Sequence, residues 1–310
     1  MRSAMRVSLT LLDMTGQAEN PVIDLGDDIR CLIAPNPSPM TEGGTNTYLV
    51  GTDRVAVIDP GPDLDAHLDA ILIATVGQTI THILITHAHR DHSSLAPRLH
   101  KATGAPIYGY GPPTSGRSAT MQALAQAGGI GGGEGLDTSF APDHLLRQDD
   151  VLDVSGAPLV VHETPGHFAG HLSFELGKTV FTGDTVMGWS SSLISPPDGD
   201  AGAFRRSCEA LANLDATRLL PGHGAPVTNP GHRIAELIAH RAGREAQILQ
   251  ALHQGHRTLP SITSAVYGPL DDKTHAIASR NTLAHLIDLW EQNRVQSNDK
   301  PSLTTRWQPA

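Results

Sequence analysis

Three histidines and an aspartate lie within six positions of one short stretch of the sequence. The stretch reads THAHRDHSS and contains His87, His89, Asp91 and His92 in an H-x-H-x-D-H pattern. Neutral imidazole and carboxylate are ligands that zinc, iron or manganese accept without thiolate. In a tight turn after a strand, the first two histidines can converge on one cation, while the aspartate and the third histidine turn toward a second point. The pattern therefore predicts a metal site.

Further candidate ligands follow later apolar runs. His167 ends the run TPGH, Asp184 ends FTGD, and His223 lies in PGHG. The neighbouring glycines and prolines allow the backbone to approach a buried ion closely. The seven ligands sort into two sets, with one residue shared: His87, His89 and His167 for one metal, Asp91, His92 and His223 for the other, and Asp184 as the bridge. We therefore expect two divalent metal ions, with zinc preferred and iron or manganese as alternatives.

Short runs rich in Val and Ile dominate the chain up to about residue 225 and end in Gly, Pro or Asp. These predicted strands are 47–51, 54–61, 81–89, 158–167, 171–176, 178–184 and 217–224, with helical stretches at 63–76 and 203–214. Strands that alternate with helices predict a mixed α/β fold. The candidate ligands follow the strands directly, where loops held on a rigid sheet often carry chemistry.

Helical periodicity replaces this pattern after residue 229. Segments 229–255, 260–268 and 273–295 each predict a helix. We therefore predict a metallohydrolase domain over residues 1–235 and a small helical domain over residues 236–310.

Charge and composition exclude several classes of protein. The formal net charge is −10, and residues 240–310 hold only eight Lys or Arg against six Asp or Glu, far from the basic surface of a typical nucleic-acid binder. No apolar window has the roughly 18 to 20 residues of a membrane span, and residues 1–17 lack the pattern of a signal peptide. Cys31 and Cys208 are isolated packing residues, which suits a reducing compartment. We expect a cytoplasmic protein with no membrane partner.

A glycine-rich stretch, AGGIGGGEGLD, occupies residues 127–137. It lacks the Lys-Ser/Thr pair of a phosphate-binding loop, and no strand precedes it. We interpret it as a surface loop, with a flap over the site as the alternative.

The full motif set resembles the metallo-β-lactamase superfamily of binuclear metallohydrolases over roughly residues 20–230. The resemblance implies an α/β fold, the four-layer αβ/βα sandwich, with the metals at one edge. The helical tail and the segment TNTYLVG resemble the β-lactamase-like protein 2 group, which implies a winged-helix-like C-terminal domain. True zinc β-lactamases lack the second histidine of the D-H pair or an aspartate at the position of Asp184, so antibiotic hydrolysis is disfavoured. The flavodiiron branch has glutamate where this chain has His89, so that branch is disfavoured too.

This resemblance implies a binuclear zinc hydrolase that attacks with a metal-bridging hydroxide, with Asp91 accepting its proton. Some members of the group cleave single-stranded RNA, so one expected activity is that of a phosphodiesterase or endoribonuclease. A glyoxalase II-like thioesterase or another acyl or lactone hydrolase is the alternative, because an acidic body suits a small ester or thioester. A mononuclear iron sulfur dioxygenase and a non-catalytic binding protein are alternatives of other classes. A homodimer is one expected oligomeric state.

Other polar residues are candidates for supporting roles. His171 either supports a metal ligand or protonates the leaving group, unless it is only a histidine at a strand start. Trp189, Ser190 and Ser191, in the loop after the bridging aspartate, and Asn46 are candidate substrate contacts. Ordinary loop and turn polarity is the alternative explanation for these four.

Overall fold

The computed structural model describes residues 21–128, 130 and 135–310. This part of the chain forms two large β-sheets, a small third sheet and eight helices. The expectations for residues 1–17 and for positions 129 and 131–134 of the glycine-rich stretch lie outside the described residues.

The first sheet contains seven strands in sequence order. They are β1 (Ile23–Asp24), β2 (Ile29–Ile33), β3 (Asn46–Val50), β4 (Arg54–Ile58), β5 (Thr79–Leu84), β6 (Ile107–Gly109) and β7 (His144–Leu145). The pairs from β1 to β4 are antiparallel, and those from β4 to β7 are parallel. Three helices lie between β4 and β6, namely α1 (Asp65–Ala74), α2 (Arg90–Ser93) and α3 (Ala96–Thr103), and a fourth helix lies between β6 and β7. The H-x-H-x-D-H stretch lies between β5 and α3.

The second sheet contains five strands in the order β12-β11-β10-β9-β8. They are β8 (Val151–Val154), β9 (Ala157–Glu163), β10 (Leu172–Leu176), β11 (Thr179–Gly183) and β12 (Arg218–Pro221). Only the β11–β12 pair is parallel. Helix α4 (Ala119–Ala127) precedes this sheet, and helix α5 (Ala201–Ala212) connects β11 to β12.

The C-terminal part consists of three helices and a β-hairpin. These are α6 (Pro230–His253), α7 (Leu259–Tyr267), α8 (Asp272–Glu291), β13 (Val295–Ser297) and β14 (Trp307–Pro309). The three predicted helices are confirmed. The hairpin was not predicted, because three-residue polar strands carry no clear alternation of apolar residues. The predicted domain boundary between residues 235 and 236 falls inside α6 and stays a prediction.

Apolar side chains fill the space between the layers. Phe174, Phe181 and Leu220 pack between the two large sheets. The outer face of the first sheet packs against helices through residues such as Ile71, and the outer face of the second through residues such as Phe204. Burying each large apolar side chain stabilises the fold by about 1.5–3 kcal/mol. Helix, sheet, sheet and helix form four layers, which confirms the predicted α/β sandwich.

Within the described ranges, no helix is both long and apolar enough to cross a membrane. The cytoplasmic location and the homodimer stay predictions.

Candidate metal centre

The ends of four strands bring the seven predicted ligands to one edge of the sandwich. The H-x-H-x-D-H stretch follows β5, His167 lies between β9 and β10, Asp184 follows β11, and His223 follows β12. The α2 helix begins right after His89 and carries Asp91 and His92, and the ring centroid of His92 lies 4.2 Å from that of His87. The Nε2 atoms of His92 and His223 lie 3.3 Å apart, although the two residues are 131 positions apart in the sequence.

Three histidines form the first ligand group. The Nδ1 atom of His89 lies 2.9 Å from Nε2 of His87 and 3.1 Å from Nε2 of His167. The other ring nitrogen of His167 lies 2.7 Å from the carbonyl oxygen of Leu193 and donates to it, so the lone pair of His167 points into the group. Such outer hydrogen bonds orient metal-binding histidines.

Asp91, His92 and His223 form the second ligand group. The Nε2 atom of His223 lies 3.3 Å from Oδ2 of Asp91. Asp184 lies between the groups, with Oδ2 3.4 Å from Nε2 of His223 and 3.6 Å from Nε2 of His167. The structure thus brings all seven predicted ligands together in the two sets that the sequence suggested.

The two groups differ in charge. Burial lowers the pKa of His89 to about 3 and that of His87 well below its usual value, so the first group presents neutral imidazoles. Burial opposes ionisation of Asp184, but His223 and His92 hold the pKa of this carboxyl well below its usual value. Burial also opposes charge on His223, yet Asp184 and Asp91 raise its pKa to about 9. The carboxylates therefore require positive charge beside them.

The donor set fits divalent metal ions. Each group of three offers one ligand atom per residue, with the atoms within 4.8 Å of one another. The Oδ1 atom of Asp184 is buried and has no hydrogen-bond partner among the described residues, although Nε2 of His92 lies 3.6 Å away. Imidazole nitrogens and carboxylate oxygens suit zinc, iron or manganese.

Asp59 supports the centre and was not predicted from the sequence. Its buried carboxylate accepts hydrogen bonds from Nδ1 of His92 at 2.9 Å and from the backbone and hydroxyl of Thr86 at 2.8 and 2.7 Å. The signal was present, because Asp59 follows the apolar run RVAVI directly, as several ligands follow theirs.

The structure favours one of the two roles predicted for His171 and gives Asn46 a position other than the expected one. His171 is fully buried, its Nε2 accepts from the backbone N–H of Asp184 at 3.1 Å, and its Nδ1 lies 2.9 Å from the hydroxyl of Thr164. This geometry fits support of a ligand and leaves no route for donating a proton to a leaving group. Asn46 is buried and donates to the carbonyls of Pro221 and Gly224 at 2.9 and 2.8 Å. It holds the loop that carries His223, so the expected substrate contact is corrected to a structural role.

Residues 40–223 match the family model described as "Metallo-beta-lactamase superfamily". The matched region includes all seven predicted ligands and more than half of the chain. The chain belongs to the metallo-β-lactamase superfamily. Residues 258–307 of this superfamily hydrolase match the "Beta-lactamase associated winged helix domain". This match confirms the predicted winged-helix-like C-terminal domain.

Named relatives of this metallo-β-lactamase superfamily member span both regions. The β-lactamase-like protein 2 homolog of Caenorhabditis elegans is 28% identical over 259 residues, covering 80% of this chain and 79% of that protein. The lactamase-like protein aptB of Emericella nidulans is 28% identical over 306 residues, covering 92% and 88%. The crystal structure of a metallo-β-lactamase family protein from Thermus thermophilus superposes with a TM-score of 0.73 at 25% identity, covering 93% of this chain and all of that one.

Two cavities lie over the edge of the sandwich that carries the predicted metal ligands, called the metal edge below. The main cavity has a volume of about 490 Å³ and is bounded by His89, Asp91, Met40 and Ile277, with Lys273 at its rim. The side cavity has a volume of about 320 Å³. It is lined by His167, Asp184, Trp189, His240, Arg244 and Tyr267, and also by Ser190 and Ser191. Trp189, Ser190 and Ser191 therefore line a cavity beside the metal edge, and their contact with substrate stays a prediction. From the glycine-rich stretch, Gly135 lines the main cavity.

Two arginines of α6 hold the loop that separates Asp184 from α5. Arg233 donates to the carbonyls of Met187 and Ser190 at 2.7 and 2.8 Å. Arg241, which is 5% exposed, donates to the carbonyl of Ser192 and, at 2.7 Å, to Asn281 on α8. The winged-helix region of this superfamily member is thus joined to the loop beside its metal edge. Neither arginine was assigned a role from the sequence.

Proposed function

We propose that this chain is a binuclear zinc hydrolase that cleaves an ester or thioester of an apolar acyl group. The observation that carries the choice of substrate is the set of exposed apolar side chains around the cavities. Met40, Ile277 and Trp189 are 50%, 41% and 38% exposed, and all three line the cavities over the metal edge. Large apolar side chains exposed together in a concave site favour an apolar ligand.

The ligand groups support the choice of metal and its number. His87, His89 and His167 would hold one ion, Asp91, His92 and His223 the other, and Asp184 would contact both. When bound, two such ions would lower the pKa of a coordinated water toward about 7 and polarise the attacked carbonyl. None of the seven ligands is a cysteine, and zinc accepts this nitrogen and oxygen set.

Side chains of this chain would position the water and the substrate. The side chain of Asp91 is 29% exposed and lines the main cavity, so its carboxylate can accept the proton of the attacking water. Asp59 and His171 keep His92 and Asp184 in place through their hydrogen bonds. Met40 and Ile277 would contact the acyl group and exclude water around the reacting carbonyl.

A second candidate is phosphodiester hydrolysis, with single-stranded RNA as the substrate suggested by the sequence. Lys273 at the rim of the main cavity favours it, because a cation there could contact a phosphate. The aromatic platforms on which single-strand binders stack bases are few near this cavity among the described residues, with Trp189 and Tyr267 in the side cavity. We therefore place acyl hydrolysis first.

The test is a panel assay of the zinc-loaded protein. Its substrates are a 2-naphthoyl thioester, an aryl lactone, a single-stranded oligoribonucleotide and bis(4-nitrophenyl) phosphate, with His89→Ala as the inactive control. We expect hydrolysis of the thioester or the lactone with about two zinc ions per chain. Cleavage of the phosphodiesters alone would favour the second candidate. One iron per chain with consumption of oxygen would overturn both.

A further inference from the structure

The side cavity extends from the metal edge into the winged-helix region. His167 and Asp184 line it on one side, and His240 and Arg244 of α6 line it on another, together with Tyr267 at the end of α7. A substrate whose scissile carbonyl lies at the metal edge can therefore place a second group beside α6.

Basic residues of α6 lie beside this part of the cavity, and two of them, His240 and Arg244, line it. Arg233, His240, Arg241 and Arg244 lie on neighbouring turns of α6, and burial together with the three arginines lowers the pKa of His240. Arg233 has a carboxylate partner, Glu236, at 3.3 Å. Among the described residues, neither Arg241 nor Arg244 forms an ion pair with a carboxylate. Positive charge thus exceeds negative charge beside the cavity.

Arg244 retains donors for a ligand, whereas Arg233 and Arg241 are used to hold the loop. The Nη1 atom of Arg244 donates to Gln247 at 2.8 Å and to the carbonyl of Val266 at 3.4 Å, whereas Nη2 donates to no residue in the described part of the chain. Its guanidinium lies 4.1 Å from the ring centroid of Tyr267, which fixes the orientation of the fork.

The hydroxyl of Tyr267 is available in the same place. It accepts a hydrogen bond from Nδ2 of Asn281 at 2.9 Å, so its own proton points elsewhere. Asn281 is in turn held through its Oδ1 by Arg241 at 2.7 Å, which fixes its amide orientation. A guanidinium and a phenol hydroxyl with fixed orientations are suited to a planar carboxylate or to a phosphate.

We propose that Arg244 and Tyr267 form a subsite for an anionic group, a carboxylate or a phosphate, carried on the acyl part of the substrate. This inference rests on the proposed acyl hydrolase function and narrows its substrate class. The substrate would be an ester or thioester whose apolar acyl group occupies the side cavity and carries a negative charge away from the scissile carbonyl.

The kinetic test compares two aryl thioesters that differ only in a ring carboxylate or the matching neutral amide. Wild type should hydrolyse the acid with a kcat/KM about 10- to 100-fold above that of the amide. Arg244→Met should bring this ratio close to one, Arg244→Lys should retain part of it, and Tyr267→Phe should lower it less. The control Arg205→Met, at a partly exposed position of α5 where Arg205 pairs with Glu209 at 3.7 Å, should keep the wild-type ratio. An unchanged ratio in Arg244→Met and Tyr267→Phe overturns the subsite.

A binding test separates this inference from the proposed function. Calorimetry of the zinc-loaded protein measures the affinity of 2-naphthoate, 2-naphthyl phosphate and neutral 2-naphthamide for wild type and Arg244→Met. We expect the variant to lose about tenfold or more in affinity for one of the anions and much less for the amide. The anion that loses more identifies the group as a carboxylate or a phosphate. Equal losses, or binding of the anions that is independent of Arg244, contradict the subsite whether or not the thioesters are hydrolysed.

Discussion

Arg241 donates a hydrogen bond to the backbone carbonyl of Ser192, and the hydroxyl of Ser192 donates to the backbone carbonyl of Asp184. A side chain of α6 is therefore two hydrogen bonds away from the residue that lies between the two ligand groups. Because Arg241 is 5% exposed, water cannot readily replace its hydrogen bonds.

Replacing Arg241 should affect both stability and catalysis. Arg241→Met leaves the carbonyl of Ser192 without its partner, and we expect a loss of about 2–4 kcal/mol in the free energy of unfolding. We also expect kcat to fall at least about tenfold through displacement of Asp184. Urea unfolding, zinc affinity and steady-state kinetics measure these effects, with Arg205→Met at a partly exposed position of α5 as the control. A stable variant with unchanged zinc affinity would contradict the positioning role.

Ligand variants should differ in how many metal ions they lose. His89 belongs to one ligand group only, as His223 does, whereas Asp184 contacts both. We expect His89→Ala and His223→Ala each to retain about one zinc, and Asp184→Asn to weaken both sites, with hydrolysis abolished in all three. Elemental analysis after dialysis gives the stoichiometry. Equal metal loss in the three variants would argue against two separate ligand groups.

Removing the metal should destabilise the fold. The buried carboxylate of Asp184 and its neighbouring ligands would lose the cations that compensate them. Ligand linkage gives about 2.7 kcal/mol when free zinc is at 100 times its dissociation constant. Thermal unfolding with zinc and with a chelator measures the difference. His89→Ala should show a smaller difference than wild type, and an equal one would place the zinc effect elsewhere.

Gly222 is required for space beside the ligands. A Cβ atom at this position would lie 2.5 Å from Oδ1 of Asp184 and 2.6 Å from Cε1 of His92. Gly222→Ala should therefore displace both side chains and lower zinc affinity and kcat at least about tenfold. Gly231→Ala is the matched control, because a Cβ there would meet no atom within 4 Å and alanine favours the helix. Equal kinetics in the two variants would contradict the expected clash.

His285 on α8 should make stability depend on pH. Burial, with Arg241 and Arg244, lowers its pKa from 6.5 to about 3, and neither ring nitrogen has a hydrogen-bond partner among the described residues. In the unfolded chain His285 binds a proton below about pH 6.5, whereas in the folded chain it stays neutral until about pH 3. The contribution of His285 to the free energy of unfolding is therefore complete above pH 6.5 and is lost as the pH falls toward 3. The loss is about 1.4 kcal/mol per pH unit below 6.5.

The comparison for His285 uses unfolding in urea from pH 8 to pH 5. His285→Leu should lose less stability than wild type over this range, while His253→Gln, at an exposed position of α6, should follow wild type. Parallel curves for wild type and His285→Leu would show that other groups carry the pH dependence.

The sequence allowed the ligand set to be predicted because several of the ligands follow an apolar strand closely. Asp59 follows the same rule, but its role depends on contact with His92, 33 positions away, which no local pattern reveals. Asn46 resembled a turn or pocket residue, and its actual partners lie 175 and 178 positions along the chain. Long-range hydrogen bonds of this kind leave no periodic signal in a single sequence.

The roles of the arginines in α6 could not be predicted either. An arginine on an amphipathic helix is usually exposed, and only the packing of α5, α6 and α8 buries Arg241. The cavities are likewise made by residues from separate parts of the chain, such as Met40, Trp189 and Ile277. The metal chemistry was therefore readable from local motifs, and the substrate surface was not.

Helix α6 lies between the two matched regions, residues 40–223 and 258–307, and its arginines reach the loop beside Asp184 from one face. Inserting or deleting one residue within α6 would rotate everything beyond it by about 100° and shift it by about 1.5 Å. Arg241 and Arg244 would then leave that face while every ligand remained in the sequence. A change in helical phase ahead of Arg241 would therefore disturb both the loop beside Asp184 and the proposed anion subsite, so insertions and deletions there should be far less tolerated than substitutions on the solvent side of α6.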